Sequence, residues 1–83
     1  MRFTVVWDQL PLDDLTNLWM AALDQQAVAD AADAIDRLLR DSPTTVGAQV
    51  GPFRRLRVDP LEVDYAVSPA DCLVTVTALR RVP

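Results

Sequence analysis

The residues best equipped for chemistry in this chain are its arginines, and five of the eight fall in one run, GPFRRLRVDPLEVDYAVSPADCLVTVTALRR, as Arg54, Arg55, Arg57, Arg80 and Arg81. A guanidinium stays charged at any physiological pH and presents a planar fork of donors. Clustered arginines therefore suit the binding of carboxylate or phosphate, or the stabilisation of charge on a phosphate in transfer. Proton transfer would need other groups, and the chain has no histidine. A general acid or base would have to come from Arg, Asp, Glu, Tyr, Ser or Thr. A lone cysteine, Cys72, cannot form an intrachain disulfide, and without histidine the common zinc ligand sets are missing, so no metal or cofactor is expected.

The charge balance narrows the partners. A net charge of −4 and a pI near 4.4 oppose binding to a nucleic-acid backbone, which is driven by placing basic side chains against phosphates. Every basic residue is an arginine, which reflects codon usage in a GC-rich genome more than phosphate recognition. A protein partner is easier to justify than an RNA, and direct nucleic-acid binding is not expected.

The elements that must position these arginines follow from length and pattern. Eighty-three residues form a single domain, residues 1–83, because so short a chain buries only about 60 to 65% of its unfolded surface. No apolar tract reaches the roughly 18 residues of a membrane span, and Met1 leads directly into a strand instead of a signal, which places the protein in the cytoplasm. Arg2 to Trp7 alternates as a first strand, with Phe3, Val5 and Trp7 on one face. Asp8 caps a helix from about Gln9 to Leu23, with Leu12, Leu15, Leu18, Trp19, Ala22 and Leu23 as its apolar stripe and Trp19 in the core. Asp24 caps a second helix that buries Val28, Ala31, Ala32, Ile35, Leu38 and Leu39 and ends near Asp41, ahead of Pro43. On its outer face Asp33 with Arg37, and Asp36 with Arg40, have the spacing of surface ion pairs. Residues 43–52 read as an irregular connection.

The last block reads as three strands. A turn at Asp59-Pro60 sets Val58 opposite Leu61, Leu56 opposite Val63 and Arg54 opposite Tyr65, with Arg57 facing Glu62 and Arg55 facing Asp64. A second turn at Ser68-Pro69-Ala70-Asp71 sets Val67 opposite Cys72, Tyr65 opposite Val74, Val63 opposite Val76 and Leu61 opposite Ala78. The helices cover the face that carries Leu56, Val63, Tyr65, Val74 and Val76. The other face presents Phe53, Arg55, Arg57, Leu73, Thr75, Leu79 and Arg81 for binding a partner, with Arg80 at its margin. On this register Arg55 and Arg57 are neutralised across the strands, by up to about 1 kcal/mol a pair, whereas Arg54, Arg80 and Arg81 have no acidic partner. Tyr65 is a core residue. The fold class is α+β: a strand, a helical hairpin, then a three-stranded antiparallel meander, with both helices packed on one face of the sheet.

The opening FTVVW, the helical pair ending in LLRDSP, the glycine before FRRLRV, the LEVDYAV strand and the closing LVTVTALRR together resemble the RelE/ParE superfamily of bacterial toxins over nearly the whole chain. That resemblance implies the toxin of a type II toxin–antitoxin pair, of the kind also called plasmid stabilization proteins, inhibited by a cognate antitoxin that wraps it. Members resembling RelE are endoribonucleases that cut messenger RNA on the ribosome with basic side chains of the central strands and a late arginine and tyrosine or histidine. Arg54 or Arg55 matches the family's arginine ahead of the second strand, and for a nuclease the candidates carried over are Arg54 and Arg81, with Glu62 standing where catalytic members have arginine. The chain also ends at Pro83 without a late Tyr or His. Members resembling ParE lack the nuclease set and bind DNA gyrase. The sequence departs from RelE in that direction, so the expectation is a protein-binding, ParE-like toxin, with a ribosome-dependent nuclease or a degenerate, non-toxic interaction domain as the alternatives.

Overall fold

The computed structural model describes residues 2–82. In chain order it comprises β1 (Thr4–Trp7), α1 (Gln9–Ala21), α2 (Gln25–Asp41), β2 (Ala48–Val50), β3 (Phe53–Val58), β4 (Leu61–Ser68), a single 3-10 turn (Pro69–Asp71) and β5 (Leu73–Arg81). The strands form one sheet in the order β1-β5-β4-β3-β2. The α+β class and the helices on one face are as expected, but the sheet has five strands. β1 joins it parallel to β5, with Val5 opposite Val74 and Trp7 opposite Val76. Within the segment expected to be irregular, Ala48 to Val50 adds an antiparallel edge to β3. The positive φ angles of Gly47 (71°) and Gly51 (58°) turn the chain into and out of this short strand.

The two helices bury their faces unequally. In α2, Val28, Ala31, Ile35 and Leu39 recur every three or four residues and all enter the core. Its N-terminus is closed by Asp24, whose carboxylate accepts from the Ala27 N–H at 3.0 Å. This cap requires a non-helical Asp24, so α1 stops at Ala21, short of the expected Leu23. On the outer face Asp36 pairs with Arg40, whereas the expected Asp33–Arg37 pair does not close. In α1 the line turned to the core is Pro11, Leu15, Leu18 and Ala22. Leu12 and Trp19 each lie one residue farther round the helix, about 100° away, and Leu23 lies beyond its end. Trp19 is accordingly 43% exposed, which corrects its assignment to the core, and Leu10, Met20 and Leu23 face outward with it.

The core proper is the helix-side face of the central strands, Leu56, Leu61, Val63, Tyr65, Val74, Val76 and Leu79, against the four α2 residues. Burying one such aliphatic side chain stabilises the fold by about 1.5–3 kcal/mol. The β3–β4 ladder has the expected register in full, from Arg54 opposite Tyr65 to Val58 opposite Leu61. Its Asp59–Pro60 turn has a cis peptide bond.

The β4–β5 ladder differs from expectation twice. The 3-10 turn uses Pro69 to Asp71, and Cys72 takes a left-handed conformation (φ 50°) outside the strand, so the first pair is Ser68 with Leu73, and Val67 meets Val74, not Cys72. Farther along, the register shifts between Asp64 and Tyr65: Tyr65 faces Val76 but Asp64 faces Ala78, leaving Thr77 as the extra residue of a bulge. One inserted residue reverses the facing of everything beyond it. Val63 therefore meets Leu79 and Leu61 meets Arg81, and Leu79 is only 6% exposed. Leu79 is a core residue, not the partner-binding residue expected on the open face.

Candidate functional site

The bulge builds the most polar feature of the sheet's uncovered face. By reversing the facing of β5 it carries Arg80 onto that face, opposite Glu62 and one rung from Asp64, and moves Arg81 to the opposite parity beside Leu61, where it is exposed at the end of the sheet. Arg80 donates from Nη2 to Asp64 Oδ2 at 2.5 Å and from Nη1 to Glu62 Oε1 at 3.0 Å. From the other flank Arg55 donates from Nε to Asp64 Oδ1 at 2.7 Å and from Nη2 to Oδ2 at 3.4 Å. Asp64 thus lies between two guanidinium forks, its side chain 9% exposed, and Glu62 sits 3.9 Å from Arg55 Nε. Arg80, expected to lack an acidic partner, has two.

Two arginines and two carboxylates cancel, so the centre of the face is polar but neutral. The Arg55 guanidinium is held above the ordinary arginine value, chiefly by its hydrogen bond to Asp64, against an opposing effect of desolvation and with added attraction from Asp64 and Glu62. Its other side lies over the Phe53 ring, 5.6 Å from the centroid. Arg57 donates from Nε to Asp59 at 2.7 Å, which raises it in the same way, while Glu62, its partner in the ladder, is held by Arg80. Leu73 and Thr75, both half-buried, and the exposed Ala66 complete the surface towards the 3-10 turn. Phe53, Arg55, Arg57, Leu73, Thr75 and Arg80 thus share one face, and Leu79 and Arg81 leave it.

Arg54 lies on the opposite parity, beside Tyr65. Its guanidinium reaches Val46 O at 3.1 Å, Gly47 O at 3.3 Å and Gln49 Oε1 at 3.4 Å, and the Tyr65 hydroxyl lies 2.8 Å from Pro43 O and 2.9 Å from Val46 O. These contacts fasten the loop of residues 43–47 to the sheet. The three nuclease candidates are thereby separated: Arg54 holds a loop, Arg81 stands at the sheet's end, and Glu62 is bound to Arg80. Asp64 was missed as the hub of the open face. The available signal was the TALRR run, where Leu79 outranks Ala78 for a core position and so calls for a change of parity. Among the described residues no group of His, Cys, Asp and Glu could hold a metal ion, and no helix is long and apolar enough to cross a membrane.

A face of balanced ion pairs edged by Phe53, Leu73 and Thr75 can hold a protein surface through polar and apolar contacts. It is poorly suited to phosphate, because the forks of Arg55 and Arg80 are already filled by carboxylate. No protein-family model matches the sequence, and no curated protein is significantly similar to it. Solved structures do match in shape. The chain superposes on the RelBE2 toxin–antitoxin complex of Mycobacterium tuberculosis with a TM-score of 0.81 at 15% identity, covering 98% of this chain and 92% of that one. It matches the chromosomal ParDE system of P. aeruginosa with a TM-score of 0.77 at 17% identity, covering 99% and 98%. A mutant of the E. coli toxin RelE in the free state gives 0.74 at 13% identity, covering 98% and 84%. Along nearly its whole length, this chain has the fold of the RelE and ParE toxins.

Proposed function

We propose that this protein is the toxin of a type II toxin–antitoxin pair, working in the bacterial cytoplasm, and that it acts by gripping a protein, as ParE-like toxins grip gyrase, and not by cutting RNA. The observation that carries the second half is the closed network of Arg55, Asp64, Arg80 and Glu62. In-line cleavage of RNA needs free positive charge on the phosphate and a proton acceptor nearby, and here each central cation is committed to a carboxylate. The net charge of −4 adds a general repulsion of RNA. The first half is supported by fold, since the structures it matches are toxin–antitoxin complexes and a free toxin. A cognate antitoxin is the partner expected to neutralise it.

The test is tightly controlled expression in a bacterial host, with growth, transcript ends and plasmid supercoiling followed together. Growth arrest with intact transcripts and loss of gyrase supercoiling, reversed by the antitoxin, is the expected result. Transcripts cut within codons on the ribosome would replace this reading with a nuclease. Harmless strong expression without any antitoxin would mark a degenerate interaction domain.

A further inference from the structure

Two cations of the sheet, Arg54 and Arg81, belong neither to the open face nor to an ion pair among the described residues. Among the described residues Arg37, Arg54 and Arg81 have no acidic partner. Arg37 and Arg81 are exposed to solvent, whereas Arg54 is half-buried, and its Nε is fully covered with no acceptor. Its contacts are neutral oxygens at 3.1–3.4 Å, long beside the 2.7 Å of Arg55 to Asp64. Charge-assisted bonds of N–H to carboxylate close to about 2.7–2.9 Å, so these carbonyls restrain the guanidinium without neutralising it. A partly desolvated cation in that state gains from any anion that can reach it.

Space for one lies beside it. Arg54 lines a cleft of about 240 Å³ at the end of the sheet, with Phe53, Val67 and Pro69 as apolar walls and Thr44 and Gln49 contributing a hydroxyl and an amide. We propose that this cleft anchors an acidic side chain of the protein partner, its carboxylate against Arg54, Thr44 and Gln49 and its methylenes against Phe53, Val67 and Pro69. A single cation matches the single charge of a carboxylate, and an overall charge of −4 disfavours a dianionic phosphate. The proposal rests on the protein-binding reading of function, and it places the electrostatic anchor away from the neutral network.

The experiment is an NMR titration of the isotope-labelled protein with N-acetyl-glutamate amide, with N-acetyl-glutamine amide and inorganic phosphate as separate arms. Saturable shifts at Thr44, Gln49, Phe53 and Val67 are expected with glutamate alone, and Arg54→Gln should weaken the binding at least tenfold. Because Arg54 also restrains a loop, Thr44→Val serves as a second variant: Thr44 is exposed and makes no tertiary bond, so the fold should persist while binding falls severalfold. Equal shifts with glutamine, an unchanged affinity in Thr44→Val, or tighter binding of phosphate than of glutamate would each overturn the proposal. The readout is independent of toxicity. Binding combined with harmless expression would remove the toxin reading and keep the cleft, and growth arrest without binding would do the reverse.

Discussion

Arg80 bonds Asp64 at 2.5 Å although the ladder sets Arg80 opposite Glu62 and Asp64 opposite Ala78. The guanidinium crosses diagonally between rungs and meets that of Arg55 on the same carboxylate, so Asp64 ties β3, β4 and β5 together by hydrogen bonds on the uncovered face, with Glu62 beside it bonded to Arg80 and 3.9 Å from Arg55.

The first prediction concerns that hub. Asp64→Asn keeps the side chain's shape but removes the charge shared by two arginines, one of which, Arg80, is also held by Glu62. Removing one partner from a covered ion pair is costly, but both guanidinia are more than a third exposed and water offsets much of the loss. We expect a loss of about 1–3 kcal/mol, measured as a lower urea midpoint with unchanged slope. Glu62→Gln, with Arg80 still tied to Asp64, should cost less than about 1 kcal/mol.

The second prediction tests the bulge. Leu79 is packed against Val63 in the core and Leu73 is half-buried on the open face. Leu79→Ala should cost about 2–4 kcal/mol, as in other large-to-small core changes, and Leu73→Ala about 1 kcal/mol or less. Strict alternation through β5 would give the two leucines the same facing, so equal losses by thermal or urea unfolding would contradict the register.

This contrast also shows what the sequence could convey. The β3–β4 register was legible because a two-residue turn at Asp59–Pro60 leaves only one pairing that buries Leu56, Val58, Leu61 and Val63 together. The helix stripe of α2 was legible for the same reason at Val28, Ala31, Ile35 and Leu39, whereas Leu38, also expected in the core, is 37% exposed. The bulge was not, since Thr77 continues the alternation of Val74, Thr75 and Val76, and only the relative size of Ala78 and Leu79 hints at the shift. Nor could local pattern reveal that β1 lies beside β5 or that Ala48 to Val50 pairs with β3, because both pairings join segments distant in sequence or too short to show a period. With the bulge went the site: the facing of Arg80, Arg81 and Leu79 all depend on that one residue.

A third prediction separates two glycines with the same backbone handedness. At Gly47 a Cβ would stand 2.5 Å from Arg55 O and 3.0 Å from the Tyr65 hydroxyl, whereas at Gly51 it would meet nothing within 4 Å. Both positions have positive φ, so either alanine suffers the left-handed penalty of about 1–2 kcal/mol. Gly47→Ala must in addition push β2 away from β3. Its unfolding temperature should fall clearly below that of Gly51→Ala, and similar values for the two would show that the close approach is relieved at no cost.

The last prediction concerns the loop that Tyr65 holds. The Tyr65 side chain is fully buried and its hydroxyl lies within hydrogen-bonding distance of both Pro43 O and Val46 O, yet a phenol has one proton and can donate to only one of them. Val46 O also accepts from Arg54 Nη2, so Pro43 O is the carbonyl that depends on Tyr65. Tyr65→Phe leaves the ring packing intact and strands that buried acceptor, for an expected loss of about 1–3 kcal/mol. Amide exchange should rise most at Thr45 and Val46, whose N–H groups bond Ser42 O within the same loop, and much less in α2 or β5. A uniform rise across the protein would mean that the hydroxyl supports global stability only and does not latch the loop.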